Sequence, residues 1–138
     1  MATERPGTKP AETSVDASQN GLSEQDLSRT ALLELFGEDE DLLRELVGLF
    51  LEDSPALLND LRAGVAGHDA AMVERAAHSL KGSVGNFGAK RAAELARRLE
   101  VMGRSRDLGG APEALTALDR EMARVSAQLA EIAAEKRR

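Results

Sequence analysis

The chain has 138 residues, 42% of them hydrophobic, which is enough for one domain with a single core. Aromatics make up only 2%, cysteine is absent and the net charge is −6. Disulfides and thiolate metal sites are therefore ruled out; a duplex-binding cationic face and aromatic platforms for single-stranded nucleic acid find no support, so no nucleic-acid partner is expected. No apolar run reaches the roughly 20 residues that span a bilayer. The opening "MATERPGTKPAETSVDASQNG" lacks the apolar centre of a secretory signal. A cytoplasmic protein without a membrane anchor is expected.

Residues 1–24 are rich in Thr, Ser, Pro, Gly and Glu, with Val15 and Leu22 the only large aliphatics after Met1. Such a segment buries too little apolar area to offset its ordering entropy, so a flexible tail is expected, followed by one domain over 25–138. That domain must build its core from Leu, Ala, Val and Met, and β-branched residues are scarce. An all-α fold follows.

Leu27, Ala31, Leu32, Leu35 and Phe36 predict a short amphipathic helix closed by Gly37. Leu42, Leu43, Leu46, Val47 and Phe50 begin the next stripe, which Leu57, Leu58, Leu61 and Val65 continue in phase across Pro55. A long helix bent at the proline and a helix restarting with Ser54 as cap both fit; the kept phase favours the first. "AGHD" reads as a turn, with Asp69 the N-cap of a helix from Ala70 to about Val84. "GNFG" breaks that helix, and another follows from Ala89 to about Met102, with "GRSRDLGGAP" as a loop. Pro112 opens the last helix. Its seam of Leu115, Leu118, Met122, Val125, Leu129 and Ile132 has coiled-coil spacing. Three other amphipathic helices are available to cover it, so a monomeric intramolecular bundle is favoured over a dimer.

The helix from Ala70 carries His78, one of two histidines in the chain. On a helical wheel Val73, Ala76, Ala77, Leu80 and Val84 share one stripe, while His78 lies about 140° from Val73 with Gly82, Gly85 and Lys81 on its side. The imidazole is therefore expected to face away from the core. A plain solvated histidine would be the ordinary reading. Gly82, however, costs helix stability where it stands, and its use should be steric, clearing the approach to the ring. Lys81 adds a cation one turn away. A metal site is disfavoured, because His68 sits in a turn ten residues earlier and no His lies four residues from His78. Hydrolysis is disfavoured as well: Ser79 projects about 100° away around the helix, and nucleophile-elbow, phosphate-loop and paired-carboxylate motifs are missing. What remains is an imidazole acting as the nucleophile toward a group that a partner brings.

"AHSLKGSVGNFGA" resembles the signature of histidine-containing phosphotransfer (HPt) domains of multistep phosphorelays, through His78, Leu80, Lys81, Gly82, Ser83, Gly88 and Ala89. The similarity extends more loosely from Leu32 to Ile132. The resemblance implies an antiparallel four-helix bundle with a short extra N-terminal helix, and His78 as phosphoacceptor through Nε2. It also implies Lys81 beside the phosphoryl oxygens, and Gly82 and Gly85 giving room for docking. Ser83, Asn86 and Gly88 would support the site, with Phe87 packed under the interhelical turn. The implied partners are response-regulator receiver domains and a hybrid histidine kinase. No cofactor belongs to the chain itself; Mg²⁺ would sit on the receiver. Sensor-kinase dimerisation domains are the nearest competitor, but they follow the histidine with an acidic residue and then a proline. Here Ser79 follows, and the next proline is Pro112. A relay without ATP binding is expected, with a non-catalytic adaptor of the same fold as the alternative.

Overall fold

The computed structural model describes residues 27–135, so the expected tail at 1–24 lies outside the described residues. Those residues form five helices and no strand: α1 (Arg29–Leu35), α2 (Glu40–Ala66), α3 (Ala70–Gly85), α4 (Lys90–Ser105) and α5 (Ala111–Ala134). The four long helices make an antiparallel bundle. α2 packs on α3, α3 on α4, α4 on α5 and α5 back on α2, while α1 lies against α2.

Local sequence explains where the helices start. Ser28, Asp39 and Asp69 cap α1, α2 and α3 by accepting the backbone N–H of Ala31, Leu42 and Met72, and Pro112 occupies the first turn of α5. α2 runs unbroken through Pro55, so the single-helix reading holds and Ser54 is a buried mid-helix residue rather than a cap. At its end α3 reverses through Gly88, whose φ of +72° suits glycine, with Ala89 N–H donating to the Val84 carbonyl and Gly88 N–H to that of Gly85.

α4 runs three residues past the predicted end at Met102. Gly103 does not terminate it, because this glycine lies in a helix–helix contact; the left-handed cap is Arg106, at φ +59°. In α1 the apolar phase differs from the expected one. Leu33 is buried with Leu32, while Leu35 is 57% exposed. Leu27 precedes the helix, so counting turns from it put Leu35 on the wrong face. Leu42 is likewise exposed, in the first turn of α2.

The predicted stripe of α3 is buried throughout: Val73, Ala77, Leu80 and Val84 have no exposed surface and Ala76 has 5%. In α5, Leu118, Met122, Val125, Leu129 and Ile132 are buried within the chain, so the heptad seam is spent on the bundle. Phe87 packs edge-on against Phe36 and Phe50, at centroid distances of 5.9 and 5.4 Å. The turn after α3 is thereby tied to α1 and α2, which fixes the end of the helix that carries His78.

Candidate functional site

With α3 anchored by its apolar stripe, the opposite face carries His78, whose side chain is 66% exposed. Gly82 and Gly85 continue that face, and a Cβ at either would meet no atom within 4 Å. Internal packing thus gives no reason for either glycine. Their lack of side chains leaves a bare strip on the C-terminal side of the imidazole. Ser83 and Asn86 line a groove of about 410 Å³ beside the strip, whose far wall includes Leu46, Leu49, Phe50 and Asp53 of α2. Leu49 is 48% exposed there, although aliphatic. Phe87 is buried beneath the turn.

The centre of the site is a residue that the sequence reading did not single out. Glu100 of α4 is 4% exposed, and its carboxylate faces α3. Oε2 accepts a hydrogen bond from His78 Nδ1 at 2.8 Å and another from Arg104 Nη2 at 3.0 Å. Oε1 is 2.8 Å from Lys81 Nζ. Arg104 also donates through Nε to Glu74 Oε2 at 3.3 Å, back on α3. Lys81 therefore contacts the buried acid as well as bordering the imidazole. The signal for Glu100 was present: Ala92, Ala96 and Glu100 recur every four residues on the apolar side of α4, and an acid in that series needs buried cationic or N–H partners.

The cations around Glu100 decide its ionisation. The Lys81 hydrogen bond holds the carboxyl below the usual carboxylate range; burial acts the other way, and the His78 hydrogen bond adds to the lowering. An ionised carboxylate only accepts, so the proton between it and the ring belongs to His78 Nδ1. In the neutral ring Nε2 then carries the lone pair, on an exposed imidazole. This is the tautomer a nucleophile requires.

A pH dependence of stability follows. Because the folded state lowers the Glu100 pKa, this contribution is complete at neutral pH and is lost as pH falls through the folded value. Glu100→Gln should lower the melting temperature at pH 7 and flatten its decline below about pH 4, the range of an ordinary carboxyl. Thermal melts from pH 7 to 3 that decline in parallel for both proteins would contradict this.

His68 lies in the turn before α3, exposed and with φ +55°, away from this cluster. Among the described residues no group of three or more His, Asp or Glu side chains is placed to hold a metal ion. Among them, too, no helix is long and apolar enough to cross a membrane.

The family model described as "Hpt domain" matches residues 45–128. Among solved structures, the chain is similar to histidine-containing phosphotransfer protein B (HptB) from Pseudomonas aeruginosa PAO1, at 30% identity and a TM-score of 0.75, over 83% of this chain and 100% of that one. It is also similar in fold to the HPT domain of a sensor hybrid histidine kinase from Shewanella, at 15% identity and a TM-score of 0.70, over 80% of this chain and 95% of that one. No curated protein matches the sequence.

Proposed function

The chain belongs to the Hpt domain family, and from that premise we propose that it is a phosphorelay intermediate accepting a phosphoryl group on His78 from a receiver-domain aspartyl phosphate. It would then pass that group to a second receiver. The observation that carries this reading is the exposed His78 ring, with Nδ1 fixed on buried Glu100 and Lys81 at its side.

In the forward step the Nε2 lone pair attacks phosphorus in line with the acyl oxygen. The N–P bond forms, the P–O bond breaks and the partner's aspartate leaves as a carboxylate. Positive charge develops on the ring as Nε2 gives up its pair, and the Glu100 carboxylate at Nδ1–H stabilises it. Lys81, on a flexible stem, can neutralise a phosphoryl oxygen. The activating Mg²⁺ is the receiver's contribution. Transfer onward is the same step reversed.

Gly82 and Gly85 leave the receiver room to bring its aspartate to the ring, and the groove beside them offers Leu46 and Leu49 to an apolar patch. We place the chain in the cytoplasm with receivers and a hybrid kinase as partners. It would act as a monomer, because the α5 seam is consumed internally.

Incubation with a panel of receivers phosphorylated by a small-molecule donor tests the reading. Label should appear on the chain as an acid-labile, base-stable phosphate. A chain that binds a receiver yet takes up no such label is an adaptor, and the relay reading fails.

A further inference from the structure

Four charged side chains form a closed set behind His78: Glu74 and Lys81 on α3, Glu100 and Arg104 on α4. Two are negative and two positive, so the cluster is balanced before any phosphoryl group arrives. That group adds roughly two negative charges. To bring its full charge onto the phosphoryl oxygens Lys81 must loosen its 2.8 Å contact with Glu100, and leaving a buried carboxylate without a compensating cation is costly.

We propose that Arg104 is the positioning residue that releases Lys81. It is the fixed cation of the set: its guanidinium bridges Glu100 at 3.0 Å and Glu74 at 3.3 Å, and so ties α4 back to α3. The neighbouring residue, Gly103, sets this spacing, because a Cβ there would lie 2.6 Å from the Glu74 backbone nitrogen. Lys81 is the movable cation, a single ammonium on a flexible stem with one carboxylate partner, whereas Arg104, although 59% exposed, is held at two points by its planar guanidinium. The remaining nearby arginines are engaged elsewhere: Arg97 and Arg98 both pair with Glu94. Arg104 keeps Glu100 compensated, so the carboxylate stays in place on His78 Nδ1 while Lys81 turns to the phosphoryl group.

This inference rests on His78 being the phosphoacceptor, and its test separates the two. Single-turnover transfer from a phosphorylated receiver is measured at saturating receiver, so that docking does not limit the rate. Arg104→Gln should slow transfer about tenfold, the worth of one charge-assisted hydrogen bond, because Lys81 is now held on Glu100. Arg104→Lys, which keeps the charge, should restore most of the rate. Lys81→Gln should be slow as well, and Lys81→Gln/Arg104→Gln no slower than Lys81→Gln alone. In a Glu100→Gln background, where no carboxylate holds Lys81, Arg104→Gln should cost nothing further. All variants are compared below their melting transitions. Multiplying losses in the double variant, or an undiminished Arg104 effect in the Glu100→Gln background, would overturn the assignment of Arg104 while leaving the relay intact. Absence of label on the wild-type chain would remove both.

Discussion

His78→Gln should abolish acquisition of acid-labile phosphate from any receiver that labels the wild-type chain, and should leave the fold in place. The loss is complete because the substitution removes the proposed nucleophile; an amide has no lone pair comparable to that of imidazole Nε2, and among the described residues the other histidine, His68, lies in the turn before α3. The fold survives because the ring is 66% exposed and takes no part in the apolar stripe of α3. Glu100 keeps Lys81 and Arg104, and the glutamine amide can still donate toward it. A melting temperature within about 2 °C of wild type is expected, since exposed substitutions shift stability by about 0.5 kcal/mol. Helicity by circular dichroism and label transfer, measured on the same preparation, check both halves. Label retained by the variant would place the phosphoacceptor elsewhere in the chain.

The largest stability effect among the glycines is expected at Gly103. A Cβ there would lie 2.6 Å from the Glu74 nitrogen and 2.7 Å from the Ala70 carbonyl oxygen, both backbone atoms of α3 that cannot rotate away. Gly103→Ala must therefore push α4 from the first turns of α3, against the packing of Leu95, Leu99 and Ala96. A loss of about 1–3 kcal/mol, and hence a fall of about 4–12 °C in melting temperature, is expected. Gly82→Ala makes the informative comparison. It meets open space, so the helix gains what alanine gains over glycine, and the melting temperature should hold or rise. The same two residue types thus separate internal packing from clearance. If Gly103→Ala melted like wild type, the close approach of α3 and α4 would not be a structural constraint.

How far these features could be read in advance depends on the range of the interaction behind them. The stripe of Val73, Ala77, Leu80 and Val84 follows from helical periodicity, and it set the exposed side of His78 before any fold was known. The caps at Asp39 and Asp69 and the turn at Gly88 are equally local. Leu35 was misplaced because its phase was counted from Leu27, outside the helix. Gly103 looked like a terminator because a glycine near the end of an apolar pattern has two uses, and only the neighbouring helix decides between them.

Sequence alone therefore determined the helical class, the identity of the outward histidine and its bare, cation-flanked face, since all three depend on residues within a few turns of one another. Tertiary structure decided what stands behind the ring. Glu100 and Arg104 lie 22 and 26 positions after His78, yet close packing of α3 on α4 brings them into one hydrogen-bonded cluster with Lys81. A buried carboxylate takes its charge state from neighbours in space, so the tautomer of His78 could be read only once two helices had met.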